Sequence, residues 1–505
     1  MSSAQLDYSA LCGHLWEAAN LLRGPVDAAD FKTYIFPLLF FKRLSDVYDE
    51  EVRQLLADSD GDEEYARFPE NHKVQIPDGC HWADVRKVTE NVGQALQTAM
   101  RAIEAEERNA KQLFGIFGDA PWSNKDRLSD ELLTDLLEHF SALPLPVGAV
   151  SADAIGDAYE FLIKQFADKS NKKAGEFYTP RSVVALMVRI LAPRDGETIY
   201  DPACGTGGML LAAVQYVKDR TNNSNALLGK LFGQEKNLTT SAIARMNLLL
   251  HDVEDAKIHR GDTLREPNFL DGDSLMQFDC VVANPPFSLE KWGEDKWPGD
   301  PYGRNIAGTP PAKSGDYAWV QHMLASLKAN TGRMAVVLPH GALFRMAAEG
   351  KIRKKILEMD VLEAVIGLGP NLFYGTGLAA CILVFRKRKP EARKRQVLLV
   401  DASRLFKKGR NQNELLPDHA DRIFQLYTEY ADAPGEAKVV SLDDVLTEHD
   451  GNLNISLYVE PPQTEKVPSV AEALDALKTS LAAAYAAEDR LAELLRANGL
   501  MPVEE

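Results

Sequence analysis

The spacing of apolar positions changes character along this chain. Up to about residue 150 it is helical: Leu11, Leu15, Ala18 and Leu22 recur every three or four residues, as do Phe36, Leu39, Phe40 and Leu44. Residues 130–140 carry another amphipathic pattern, and Leu143-Pro144-Leu145-Pro146-Val147-Gly148 reads as a linker. From about 151 to 402 short β-branched runs alternate with helical stretches. Residues 198–201, 231–235, 257–262, 278–284, 333–339, 361–367 and 379–385 are the strand candidates. Strands separated by helices predict a Rossmann-like, doubly wound, largely parallel α/β sheet, and Gly375 and Gly377 allow it to close in an antiparallel hairpin. Past 402 the signals weaken until Ser469-x-x-Glu472 forms a capping box. Leu474, Leu477, Leu481, Leu491 and Leu495 follow at near-heptad spacing, interrupted by Ala484 and Glu488 and ended by Gly499 and Pro502. The expected organisation is a helical domain over 1–150, a sheet domain over 151–460 and a terminal helical extension over 461–505.

Composition narrows the class. With 505 residues, 45% hydrophobic and 26% charged, the chain reads as an ordinary soluble globular protein with a large core. No apolar stretch is long enough to span a bilayer; the best, 34–41, contains Pro37. The start, Met1-Ser2-Ser3-Ala4-Gln5, lacks the basic and apolar regions of a signal peptide. Five scattered cysteines without a CxxC pair predict reduced thiols in a cytoplasm and no metal site. A net charge of −17 argues against a surface coated in nucleic acid. Two basic stretches run against that balance: Lys164, Lys169, Lys172, Lys173 and Arg181, and Arg386 to Lys389 continued by Arg393, Lys394 and Arg395. Such runs are usually solvated surface, with a DNA-facing edge as the alternative.

The candidate chemistry lies at the ends of the predicted strands. The strand ending at Asp201 runs into Pro202-Ala203-Cys204-Gly205-Thr206-Gly207-Gly208 and then a helix. Glycines there let backbone approach a ligand and turn amide N–H groups toward it. The loop lacks the third glycine of the dinucleotide fingerprint and the lysine of the phosphate-binding loop. Asp201, Glu235 and Asp262 follow at three successive strand ends. Glu235 can accept both hydroxyls of a ribose, Asp262 an exocyclic adenine amine, and Asp201 an ammonium group. Amine, ribose and adenine together describe S-adenosylmethionine. Taken singly, each acid would pass for a helix cap or a solvated turn.

The strand over 278–283 ends in Asn284-Pro285-Pro286-Phe287. A proline turn that only stops a strand would look the same locally. Beside a cofactor loop, however, the tetrapeptide suits a flat, nitrogen-bearing substrate. The Asn284 side-chain oxygen and the Pro285 carbonyl can accept the two N–H bonds of adenine N6, freeing its lone pair for attack on a sulfonium methyl. Phe287 can stack on an extruded base, a contact worth about 1–3 kcal/mol, which offsets part of the cost of flipping.

Gly175-Glu176-Phe177-Tyr178-Thr179-Pro180-Arg181, the Asp201–Gly208 loop and Asn284-Pro-Pro-Phe287 closely resemble the modification (methyltransferase) subunits of type I restriction–modification systems. Residues 15–20 (LWEAAN) and 34–46 (YIFPLLFFKRLSD) resemble that family's helical domain. The resemblance implies an adenine-N6 DNA methyltransferase with Asn284, Pro285 and Phe287 catalytic. It implies that Glu176, Phe177, Tyr178, Thr179, Pro180, Arg181, Thr206, Gly207, Gly208 and Glu235 line S-adenosylmethionine, with Phe177 over its methionine end. Asp201, Gly205 and Asp262 occupy related positions, and Phe373 resembles a second base-packing aromatic. Cys204 is assigned no chemistry. The implied partners are double-stranded DNA with a flipped adenine, a specificity subunit bound by two copies of this chain, and a restriction subunit. The terminal helix is the expected docking element, and the loop 288–314, with Trp292, Trp297 and Arg304, is expected to close over DNA. A glutamine-N5 protein methyltransferase and an inactive cofactor-binding scaffold are the rival readings.

Overall fold

The computed structural model describes residues 8–27, 30–146, 150, 158–159, 161–162, 165, 179–223, 225–373, 376–410, 412–460, 469–498 and 500. The chain divides into two compact units, 1–459 and 460–505.

The first part of the larger unit is helical, as its periodicity predicts. Its longest helix, Phe31–Asp58, buries every residue from Tyr34 to Arg43, so it is enclosed on all sides near its start. Pro37 falls inside that helix, where it removes one backbone donor. Arg43 is buried too, and its guanidinium donates to the Val150 carbonyl at 3.0 Å and to that of Leu145. This core continues through Ala158, Tyr159 and Leu162 to Ala242, Ile243, Met246 and Leu250 of the helix Leu238–Leu250. The helical region therefore packs against a helix that itself flanks the strands Leu231–Glu235 and Lys257–Arg260 of the sheet.

The strands are β1 (Ile199–Asp201), β2 (Leu231–Glu235), β3 (Lys257–Arg260), the two-stranded hairpin β4 (Leu270–Asp271) and β5 (Ser274–Leu275), β6 (Cys280–Ala283), β7 (Arg333–Pro339), β8 (Leu362–Leu368), β9 (Ala380–Arg386), β10 (Gln396–Ala402) and β11 (Ala437–Ser441). Nine of them form one sheet in the order β11-β10-β8-β9-β7-β6-β1-β2-β3. β9 is antiparallel to both β7 and β8, and β11 is antiparallel to β10; the remaining pairs are parallel. Both faces are covered. Cys280, Val282, Ala335 and Val337 enter one core, while Val281, Ala283, Val336 and Leu338 enter the other. That alternation is the period-two geometry of strands buried on both sides.

All seven predicted strands are present within two residues at either end, and the doubly wound class is as expected. β10 and β11 were not anticipated. β10, Gln-Val-Leu-Leu-Val-Asp-Ala, is an apolar run that the composition of its basic flank hid. β11 pairs only at the sheet edge and carries a mixed pattern.

In the smaller unit, the helix Val470–Ala497 begins with Ser469 and Glu472 in the reciprocal cap that the sequence predicts. None of its residues is buried; Leu474, Leu477, Leu481, Tyr485, Leu491 and Leu494 are between 46% and 63% exposed.

Candidate active site

Strand direction brings the candidate residues to one edge. β6, β1, β2 and β3 are adjacent and parallel. Their carboxyl ends therefore present Asn284, the loop after Asp201, Glu235 and the turn after Arg260 side by side.

The glycine loop is tightly specified. Gly205 and Gly207 have φ of +53° and +82°, a region that favours glycine. Gly207 is also the N-cap of the helix Gly208–Thr221. A Cβ added to Gly205 or Gly208 would meet nothing within 4 Å, so open space lies against the loop. Across it, Gly233 of β2 passes so close to Cys204 that a Cβ would lie 3.0 Å from the sulfur. Asn247 supports the loop from below, donating from Nδ2 to the Thr206 carbonyl at 3.0 Å. Burial pushes the Cys204 thiol well above its ordinary pKa, which fits a packing role rather than a nucleophile.

Two of the three acids are embedded in this frame. Glu235 accepts the Gly205 N–H at 3.1 Å on one oxygen and the Asn237 N–H at 2.8 Å on the other. It thereby ties the glycine loop to the start of the next helix. Asp201 is 2% exposed and accepts the Ala203 N–H at 3.0 Å. Burial pushes its carboxyl up to about 8, with the Glu235 charge adding to the rise and the Ala203 N–H opposing it. Asp262 lies two residues beyond β3 rather than at its end. It is paired with Lys236 at 2.9 Å and Arg265 at 3.7 Å, so any ligand amine would share its carboxylate with those cations.

Asn284 follows β6 directly. Its Nδ2 donates to Thr179 Oγ1 at 2.8 Å. Its Oδ1 is buried and has no hydrogen-bond partner among the described residues. Buried polar atoms are normally satisfied, so this orphaned acceptor is open to an external donor. Thr179 also joins a predicted cofactor segment to the Asn284–Phe287 tetrapeptide across 105 residues of sequence. Pro180 caps the helix Arg181–Leu191. Glu176, Phe177 and Tyr178 lie outside the described residues.

Phe287 is half-buried, and its ring meets Phe373 edge-on at 6.0 Å. Phe373 itself is 1% exposed within the core beneath, so it backs Phe287 from inside the fold. The turn after Phe287 is held by Asp316, which the sequence did not single out. The Ser288 N–H, at a φ of +49°, donates to its carboxylate at 2.7 Å, and Arg345 pairs with the same group. Nothing local marks Asp316, because its partner is 28 residues away.

The loop 288–314 corrects an expectation. Trp292 and Trp297 are each 1% exposed and pack edge-on at 5.1 Å. Arg304 is buried, bound to Asp300 and to the Thr263 carbonyl at 2.9 Å, with its guanidinium over Trp297. It is therefore not presented to DNA. Arg304→Ala is expected to destabilise the fold by about 3–5 kcal/mol, because Asp300 would be left buried and unpaired; chemical denaturation measures this. A cavity of about 510 Å³ lies elsewhere, between the helices Phe31–Asp58 and Leu238–Leu250, and none of the strand-end residues lines it.

A family model described as N-6 DNA methylase matches residues 150–467, and one for the HsdM N-terminal domain matches residues 11–140. The chain belongs to the N-6 DNA methylase family. Among curated relatives, the type I restriction enzyme MjaVII methylase subunit of Methanocaldococcus jannaschii is 32% identical, over 93% of this chain and 81% of its own length. The MpnII methylase subunit of Mycoplasma pneumoniae is 29% identical over 88% of both chains. Among solved structures, the type I restriction–modification methyltransferase subunit of Streptococcus thermophilus superposes with a TM-score of 0.79 at 31% identity, covering 90% of this chain and all of that one. In this chain an orphaned amide oxygen, a glycine loop, buried Asp201 and half-buried Glu235 share one edge of the sheet.

Proposed function

We propose that this N-6 DNA methylase uses S-adenosylmethionine to methylate N6 of an adenine turned out of duplex DNA. It acts as the modification subunit of a type I restriction–modification complex. The observation that carries this reading is the enclosed, unpartnered Oδ1 of Asn284, with its amide nitrogen held by Thr179.

Adenine N6 is a weak nucleophile because its lone pair is shared with the ring. Asn284 Oδ1 and the Pro285 carbonyl accept its two N–H bonds and draw the nitrogen toward tetrahedral geometry, which localises the lone pair. Pro285 and Pro286 keep those acceptors rigid, so little reorganisation accompanies the reaction. Phe287, backed by Phe373, stacks on the base once it leaves the duplex. S-adenosylmethionine, when bound, supplies an electrophilic methyl carbon on a positively charged sulfur. Glu235 binds its ribose hydroxyls, the 205–208 backbone lies against its chain, and Asp262 takes the adenine amine. Glu176, Phe177, Tyr178, Thr179, Pro180 and Arg181 complete that side.

Asp201 makes cofactor binding pH-dependent. Below about pH 4 its carboxyl is neutral in folded and unfolded chains alike. As pH rises toward about 8, the unfolded chain releases a proton that the folded chain retains, so stability from this group falls through that window. A cationic ligand favours the ionised form. At neutral pH, cofactor binding is therefore expected to expel a proton and to tighten as pH rises toward 8. Calorimetry in two buffers of different ionisation enthalpy measures the release, which Asp201→Asn should abolish. Equal heats in both buffers for the unmodified protein would contradict this.

The specificity subunit reads the DNA sequence and is bound by two copies of this chain, and a restriction subunit joins for cleavage. The exposed leucine seam of the helix Val470–Ala497 is the docking element for the specificity subunit. Removing residues 469–505 is expected to abolish co-purification of that subunit while leaving cofactor binding intact.

Tritium transfer from labelled cofactor tests the whole reading. Label should reach adenine in DNA and depend on the specificity subunit. Label on protein would favour the glutamine-N5 alternative, and no label with cofactor bound would mark a scaffold.

A further inference from the structure

The segment after β10 forms a small hairpin with Lys407, Lys408 and Arg410 around its tip. The Lys407 N–H donates to the Glu414 carbonyl at 2.8 Å, and the Glu414 N–H donates back to Lys407 at 2.9 Å. At the turn, a Cβ on Gly409 would lie 1.8 Å from the Gln412 carbonyl oxygen, so only glycine fits. The hairpin is fastened to the loop after β8. Asn413 donates from Nδ2 to the Pro370 carbonyl at 2.8 Å and from its backbone to the Asn371 carbonyl at 2.8 Å. Gln412 Nε2 donates to the Leu372 carbonyl at 2.6 Å. The next residue is Phe373, whose ring touches Phe287. The basic tip is thus connected to the catalytic tetrapeptide through a short, ordered series of contacts.

Its cations differ from most of those in the basic stretch 386–395, which lies at the opposite edge of the sheet. In the run 386–395, Arg386 and Arg393 converge on buried Glu363, Lys389 pairs with Asp360, Lys394 with Glu391 and Arg395 with Asp443. Those five charges are paired within the fold; of that run, half-buried Lys387 and exposed Arg388 have no ion pair among the described residues. Lys407, Lys408 and Arg410 are exposed and have no ion pair among the described residues. On a chain of net charge −17, three unpaired cations on a braced turn form a local positive site.

Direction places this site beside the chemistry. β6, β7, β8 and β10 all run the same way, so their carboxyl ends share an edge. β10 is four positions from β6 in the sheet, about 19 Å at about 4.8 Å per strand. Along a duplex that is about five or six base steps of about 3.4 Å.

We propose that the Lys407–Arg410 hairpin grips the DNA phosphate backbone beside the target-adenine pocket, half a helical turn or so from the flipped base. This rests on the reading of Asn284 as a DNA-adenine site. Two lysines and an arginine on a turn contact phosphates without reading sequence, which suits a subunit whose target is chosen by another chain.

The test uses the full chain assembled with its specificity subunit and a mixed-sequence DNA duplex. In the combined variant Lys407→Gln, Lys408→Gln, Arg410→Gln, affinity is expected to fall about 10- to 100-fold near physiological salt. The slope of log affinity against log salt should become shallower by about two to three, near 0.9 per lost phosphate contact. Cofactor affinity reports that the variant is folded. Lys218→Gln with Arg220→Gln, at the far end of the helix Gly208–Thr221, should leave the slope unaltered. An unaltered slope in the triple variant, or an equal change in the control, overturns the hairpin's role. Failure of the unmodified complex to methylate DNA would instead remove the reading of the catalytic site, whatever the slopes show.

Discussion

Asn284→Ala is expected to lower methyl transfer to DNA by about a hundred- to a thousandfold, the scale seen when one preorganised polar group is removed from a reacting centre. Cofactor affinity should change little, because the side chain faces the nitrogen that attacks rather than the donor. The loss belongs to the chemical step. Without Oδ1, one N6 hydrogen has no acceptor, and the lone pair stays delocalised in the ring. Asn284→Asp keeps an oxygen at the same position and should retain more activity than alanine does. Thr179→Val should fall between, since the amide loses the hydroxyl that holds Nδ2 and can rotate its oxygen away. Single-turnover transfer of labelled methyl, with cofactor binding measured in parallel, separates these effects. Transfer by Asn284→Ala at the unmodified rate would sink the mechanism.

Glu235→Ala is expected to weaken cofactor binding by at least about 100-fold, or about 2.7 kcal/mol at 1.36 kcal/mol per tenfold. Two effects combine in that figure. The carboxylate's charge-assisted bonds to a ribose disappear, each worth about 1.5–3 kcal/mol. The Gly205 and Asn237 N–H groups also lose their acceptor, so the glycine loop loses its tie to the following helix. Glu235→Gln distinguishes these contributions. An amide oxygen can still serve one N–H but cannot accept at both ends, so its affinity should lie between those of the other two proteins. Equilibrium titration with the cofactor, by calorimetry or fluorescence, gives the three values. An alanine variant that binds the cofactor normally would place the ribose elsewhere.

Both predictions concern residues that the sequence exposes through local pattern. An apolar run that ends in Asn-Pro-Pro-Phe, and another that ends in Asp and a glycine loop, are recognisable because strand, turn and functional group are consecutive. The same holds for the reciprocal cap of Ser469 and Glu472, which needs only four neighbouring residues. β10 and β11 were less legible. β10 follows a basic stretch whose charges suggested solvated surface, whereas Arg386, Lys389 and Arg393 prove to be held by Asp360 and Glu363. Arg304 misled for the same reason. A tryptophan- and glycine-rich loop with an arginine looks like a DNA lid until its guanidinium is found buried against Asp300.

Order along the chain was therefore enough to place the acceptor amide, the glycine turn, Asp201 and Glu235 at strand ends, since each depends on residues that are neighbours in sequence. Folding alone decided which of those groups are committed to internal partners. Thr179 meets Asn284 across 105 residues, and Arg393 meets Glu363 across 30. Such pairings depend on how strands are ordered in the sheet, and no short pattern encodes that order. A charge's availability to a ligand is set by these distant contacts, which is why the open cations of 407–410 and the orphaned oxygen of Asn284 become visible only in three dimensions.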